Sequence, residues 1–249
     1  MKILGKSSRV LSKLLDYIVG LIIIVLILYS SFSLYSSYKL FKGAFASDSL
    51  LAMKPVVDPT GEVKPNFDDL KRLNEDVVAW LTVENTNIDY PVLQGENNLE
   101  YINKDVYGNF AFEGSLFLDT RNSRNFEDTY SLIYGHHMEH GAMFGDLQKF
   151  LDESFFNQNT TGDLITEDGD FEIRFFAVAQ ADGYDEIVFN PTSTNSENKD
   201  EFLAYIDSIS VNKRAYDIKP EDKIIGLSTC TSTQTNGRTI LFGVLIPKG

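Results

Sequence analysis

The chain has 249 residues, 43% of them hydrophobic and 23% charged, a formal net charge of −14 and a single cysteine, Cys230. So acidic a chain argues against nucleic acid as a partner. One thiol can build neither an internal disulfide nor a multi-cysteine zinc site.

The charge is unevenly spread. Residues 1–42 hold six Lys/Arg against Asp16, net +5, which leaves −19 on residues 43–249. Residues 1–16 form a basic N-terminus with Lys2, Lys6, Arg9 and Lys13, and Tyr17 to Tyr38 is a run of 22 residues without a formal charge. As a helix that run measures about 33 Å, against a hydrocarbon core of about 30 Å. A cleavable signal peptide would have a shorter apolar region, about 7–15 residues, and a small-residue cleavage site close behind it. Ala44-Phe45-Ala46 lies too far on, so the segment reads as a retained transmembrane helix. The excess of basic residues before the span puts the N-terminus in the cytoplasm and the rest outside.

Residues 39–65 contain Pro55, Pro59, Gly61 and Pro65 without strong periodicity, and read as an extracellular stalk. A domain over 66–249, about 185 residues, is large enough for one core without disulfide staples. On this reading a chain starting near Asn66 should fold by itself. A helix is expected from Asn66 or Asp68, with Leu70, Leu73 and Val77 on one face. Short strands follow at 79–83, 88–93, 115–118, 131–134, 171–178, 223–227 and 239–246, and helices at 143–156 and 199–210. Many short strands with a few inserted helices suggest a closed, mostly antiparallel β-barrel.

Two places carry chemistry. Leu227-Ser228-Thr229-Cys230 ends a strand, Asn236-Gly237 is a turn signal, and Arg238 opens the next strand. If the two strands pair, Arg238 faces Cys230 across the loop base, where a guanidinium can stabilise a thiolate or an oxyanion. A buried inert thiol and a plain strand-end arginine are the bland alternatives. The three histidines fall together in Tyr134-Gly135-His136-His137-Met138-Glu139-His140, and His136 follows a strand and a glycine, as suits a cleft wall. Cysteine with histidine is the minimum for thiolate acyl transfer. The segment also fits an H-x-x-E-H zinc pattern, but that needs a continuous helix, and Gly135 and Gly141 bracket it.

With Tyr134-Gly135-His136-His137-Met138, Gly141-x-Met143-Phe144, Leu227-Ser228-Thr229-Cys230 and Arg238 in this order, the chain resembles a class B sortase. The likeness covers most of residues 66–249, including Asn74–Leu81, Ile88–Val92, Asn98-Leu99-Glu100-Tyr101 and Gly114–Asp119. It departs at Gly226, where the family's Thr-Leu-x-Thr-Cys motif begins with threonine; changed packing rather than lost chemistry is expected there. The resemblance implies an eight-stranded β-barrel and a Gram-positive transpeptidase without cofactor or metal. Such an enzyme cleaves a C-terminal sorting motif of a secreted surface protein or pilin, holds it as a thioester and passes it to an amine of peptidoglycan or a pilin. It further implies Cys230 as nucleophile, His136 as acid/base, Arg238 as oxyanion or substrate stabiliser, and Asn98, Tyr134 and Ser228 as groove residues. A cysteine peptidase that releases its acyl-enzyme to water, and a non-catalytic surface-binding module, are the rival readings.

Overall fold

The computed structural model describes residues 4–55, 67–230 and 236–248. Helix α1 (Leu4–Gly43) is long and apolar enough between Ser12 and Leu40 to cross a membrane. Residues from Gly43 onward form a separate compact unit.

That unit is a barrel. The strands are β1 (Val77–Val83), β2 (Asp89–Leu93), β3 (Leu116–Leu118), β4 (Tyr130–Tyr134), β5 (Thr161–Thr166), β6 (Asp170–Asp182), β7 (Ser210–Lys213), β8 (Lys223–Cys230) and β9 (Gly237–Pro247). Their order is β5-β1-β2-β3-β4-β8-β9-β6-β7, and β5 also pairs with β6. Eight strands therefore close on themselves, and β7 hangs on the outside of β6. Most pairs are antiparallel, but β2–β3 and β4–β8 are parallel.

Both faces of the central strands are covered, which explains their unbroken apolar runs. In β8, Ile225 and Leu227 point into the barrel with Ile133, Leu241 and Phe175, while Ile224 packs outward with Tyr130 and Phe242 under helix α5 (Lys199–Ile209). Phe202 and Ile206 are the buried stripe of α5, four residues apart as a helix requires. A third cluster joins Trp80 and Leu93 to Phe67 and Leu70 of helix α3 (Phe67–Leu73).

Several expectations are corrected. Val77 opens β1 rather than continuing the helix face, and Asn66 lies outside the described residues. The expected helix over 143–156 is two pieces, a 3-10 helix at Gly145–Leu151 and helix α4 (Glu153–Gln158). The break falls at Asp152, whose carboxylate accepts the Phe155 N–H at 2.8 Å and caps a new helix. The first part of the expected stalk is folded onto the barrel: Ala44 and Leu50 are buried, Asp48–Leu51 forms the short helix α2, and Lys54 bonds Thr82 Oγ1 and Asp89 Oδ1, both at 2.7 Å. Its remainder, 56–65, lies outside the described residues.

Candidate active site

Strand β8 carries Cys230 at its end, and its two neighbours bring up the other candidates. On one side β9 pairs antiparallel with Cys230 opposite Arg238, the strand pairing expected from the sequence, and residues 231–235 between the two strands lie outside the described residues. On the other side β4 runs parallel to β8, with Tyr134 paired to Ser228 and the Gly135 N–H donating to Ser228 O at 3.1 Å. The pairing ends there, with His136 two residues past Tyr134 and Cys230 two residues past Ser228. No local spacing could show this, because the parallel pairing joins residues 94 positions apart.

His136 is half-buried, and its Nε2 lies 2.8 Å from the carbonyl oxygen of Ile102. A carbonyl only accepts, so Nε2 carries the proton and Nδ1 is the nitrogen left for acid–base work. The Ile102 peptide is held in turn by Gly114 (φ 59°), where a Cβ would collide with the Ile102 and Tyr101 carbonyls. Gly135 is also required: Leu116 and Phe144 fill the space where its side chain would be.

His137 and His140 stand apart. His137 forms a β-bridge with Met143, and His140 is exposed at φ 58° with its carbonyl accepting the Asn87 amide at 3.1 Å. The continuous helix that the zinc pattern needs is not formed; only Glu139–Gly141 makes a single 3-10 turn.

Arg238 is half-buried. Its Nη1 donates to Gly237 O at 3.1 Å, its guanidinium lies over Gly183, and it forms no ion pair among the described residues. Among those residues its charge is not spent on a carboxylate. Ser228 and Thr229 are buried, with hydroxyls that have no partner among the described residues.

Asn98 and Tyr134 are brought together by a residue the sequence reading missed. Asp119 is fully buried, and its Oδ2 accepts from Tyr134 Oη at 3.0 Å, Asn98 Nδ2 at 3.0 Å and Arg121 Nη2 at 2.7 Å. Arg121 Nε completes a fork on Oδ1 at 2.8 Å. Burial pushes the Asp119 carboxyl up, but the Arg121 fork and the Tyr134 hydroxyl outweigh it and hold the group below the usual carboxylate range. The Tyr134 phenol is pushed above its ordinary value, by burial first and then by Asp119. Arg121 also reaches Phe189 O at 2.7 Å and Asn190 Oδ1 at 3.1 Å, tying the β3–β4 loop to the β6–β7 insertion. An acid two residues before an arginine, just after a strand, was the available signal, but it is common on any surface.

The barrel is mixed, and its adjacent strands β4, β8 and β9 carry the histidine, the cysteine and the arginine at or just beyond their ends. The sortase domain matches residues 81–246, and the chain belongs to that family. Sortase B of Listeria monocytogenes is 36% identical over 193 residues, 76% of this chain and 77% of that protein. A Streptococcus pyogenes class B sortase involved in pilus biogenesis has 46% identity and a TM-score of 0.69, over 73% of this chain and 98% of that one. A Staphylococcus aureus sortase B–substrate complex has 27% identity and a TM-score of 0.67, over 74% and 85%. A sortase B has also been solved in complex with triglycine. Within the family this is a class B enzyme, a cysteine transpeptidase.

Proposed function

We propose that Cys230 is the nucleophile of this transpeptidase, His136 its acid/base and Arg238 its oxyanion stabiliser, acting on a secreted surface protein or pilin with a C-terminal sorting motif. The observations that support the reading are the register that sets Arg238 opposite Cys230 and the parallel pairing of Tyr134 with Ser228, two residues before His136 and Cys230. Nδ1 of His136 takes the proton of the Cys230 thiol, the thiolate attacks the carbonyl carbon of the scissile peptide, and Arg238 faces the developing oxyanion. The C–N bond breaks as His136 delivers its proton to the leaving amine. An acceptor amine then attacks the thioester and gives its proton to His136; the C–S bond breaks and the thiolate returns. The Ser228 hydroxyl, unpartnered among the described residues, suits a polar group of the substrate. Tyr134 and Asn98, fixed by Asp119, are proposed as groove walls.

The acceptor is proposed to be an amine of peptidoglycan or of a pilin, as the pilus role of the S. pyogenes relative and the triglycine complex suggest. Residues 1–16 are placed in the cytoplasm and 17–38 in the membrane. The catalytic domain, 66–249 with residues 44–55 packed on it, is placed outside.

The test is intact mass spectrometry with a sorting peptide. Wild-type protein should accumulate an adduct on Cys230, which an added amine discharges into a ligated product, while Cys230→Ala keeps its circular dichroism and forms none. His136→Ala should cost about 10²–10⁴-fold in rate, with His137→Ala and His140→Ala mild. If plausible wall and pilin amines change neither rate nor product, the acyl group goes to water and the peptidase reading replaces this one.

A further inference from the structure

Between Ile102 and β3 the chain makes a tight hairpin that no part of the proposed chemistry uses. The Asp105 N–H bonds Asn109 O at 2.9 Å, the Asn109 N–H returns to Asp105 Oδ1 at 2.8 Å, and Gly108 turns at φ 81°. Lys104 bridges Phe110, and Ser115 Oγ donates to Lys104 O at 2.8 Å. This is a fixed structure, yet its tip is apolar and exposed. Phe110 is 70% exposed, Phe112 68% and Tyr107 47%, while Ala111 between the two phenylalanines is buried. Alternation puts both rings on one side, edge to face at 4.9 Å between centroids. A rigid loop that holds two large rings in solvent marks an interaction surface.

The covalent chain says what covers it. Glu113, the residue after Phe112, lies with its carboxylate in the space that a Cβ on Gly43 would take. Gly43 closes α1, which runs on as helix past the end of the apolar span at Tyr38. Five residues of helix rise about 7.5 Å. The polar headgroup zone beyond the hydrocarbon is about 5–7 Å deep on each side. Gly43 is therefore held at the outer edge of the headgroups whenever the span is in a bilayer. Phe112 and Phe110 are one and three residues from Glu113, at most about 4 and 11 Å along the chain.

We propose that the Tyr107–Phe112 hairpin is a foot on the membrane, with Phe110 and Phe112 inserted among the headgroups and upper acyl chains of the outer leaflet. The inference rests on the reading of α1 as a membrane anchor. The contact is apolar: residues 43–249 carry net −19, so anionic lipid attracts the domain by nothing but its rings. The same charge works against a second copy covering the patch. Because the hairpin grows from the segment whose Ile102 carbonyl holds His136, the foot would also stop the cleft from turning freely about its tether.

The protein has one tryptophan, Trp80, fully buried in the barrel wall, which serves as an internal reference. Full-length Phe110→Trp and Phe112→Trp variants are reconstituted in vesicles with and without lipids brominated at a shallow acyl position. The new tryptophan should be quenched by bromolipid, shielded from aqueous acrylamide, and unmoved by high salt, while the parent protein shows no bromolipid quenching. A new tryptophan that acrylamide reaches equally with and without bilayer, and that bromolipid leaves alone, overturns the foot. So does shielding that appears only when a sorting peptide is added, or that follows protein density in the vesicle, which would name the substrate or a second copy as occupant. Alkaline carbonate washing is read separately: release of the whole chain from vesicles removes the anchor reading and this one with it. A retained chain with an unquenched tip removes the foot alone.

Discussion

The hydroxyl of Tyr134 and the carboxylate of Asp119 meet at 3.0 Å beneath the proposed groove, and Asp119 is fully buried. That carboxylate also takes the Asn98 amide and the Arg121 fork, so one oxygen fixes both Tyr134, at the end of β4, and Asn98, in the connection between β2 and β3.

Asp119→Asn should loosen the groove as a unit. It removes the charge-assisted bonds from Arg121, which is 41% exposed and so partly compensated by water. A loss of roughly 2–3 kcal/mol in unfolding free energy is expected, with KM for a sorting peptide raised more than kcat is lowered. Tyr134→Phe removes one donor and should cost about 1 kcal/mol. Because the folded carboxyl lies below its ordinary range, its stabilisation is complete above the unfolded carboxylate value and is lost as pH falls through the lowered folded value. Wild type should therefore hold its groove into mildly acidic buffer. Equal chemical denaturation midpoints for wild type and Asp119→Asn at pH 7 would sink this account.

The legible part of the site was the part that local order encodes. Asn236-Gly237 between two apolar runs predicts a closed strand pair, and Arg238 does lie opposite Cys230. The approach of the His136 segment to β8 depends instead on parallel pairing of β4 with β8, which residue patterns alone leave open. Strands β5 and β7 went unseen for another reason. β5 turns Gly162, Leu164 and Thr166 inward, so a single large apolar residue marks its buried face. β7 is four residues on the outer edge, with Ser210 and Asn212 partly buried and Val211 and Lys213 exposed. Asp119 was missed because its burial follows from the loops closing over it.

Gly114→Ala should act on His136 without touching it. At φ 59° a side chain is strained by about 1–2 kcal/mol, and the new Cβ would push the Ile102 carbonyl off Nε2. The expected result is a fall in kcat with KM little changed, and a shifted pH–rate profile. Nitrogen-15 NMR of histidine-labelled wild type should find the neutral ring protonated on Nε2. A wild-type ring protonated on Nδ1 would contradict the assignment, whatever the variant does.

Gly226, the one departure from the family motif, has a packing explanation. A Cβ there would stand 2.6 Å from the Tyr130 hydroxyl and 3.1 Å from Leu132 Cδ1. Tyr130 is fully buried, and its hydroxyl has no partner among the described residues. Gly226→Thr should then cost about 1–3 kcal/mol through overpacking. Tyr130→Phe removes an unsatisfied buried hydroxyl and should be neutral or stabilising by about 1 kcal/mol. The double variant should recover most of the loss, and a double-mutant cycle on thermal unfolding measures that coupling. Strictly additive effects would mean that the two positions do not share the space.

The chain joins its domain at Gly43, and this changes where it can be cut. Residues 44–55 give the barrel a buried Leu50, a buried Ala44 and the carbonyl of Ala44, which accepts the Tyr90 hydroxyl at 2.9 Å. Tyr90 is itself buried, and burial pushes its phenol up to about 12, so it stays a donor at any working pH. The same hydroxyl accepts the Met143 N–H at 3.1 Å, which fixes the segment following His136. A chain starting at Asn66 would strip Leu50 from its pocket, worth about 1.5–3 kcal/mol, and leave the Tyr90 proton without its acceptor, a further cost of about 1–3 kcal/mol. Against a total stability of about 5–15 kcal/mol, that protein should fold but melt well below one starting at Gly43. Its His136 loop should also exchange amide hydrogens faster at Met143. Calorimetry and hydrogen exchange on the two soluble forms check both points. Matching melting temperatures would show that residues 44–55 lie on the barrel without supporting it.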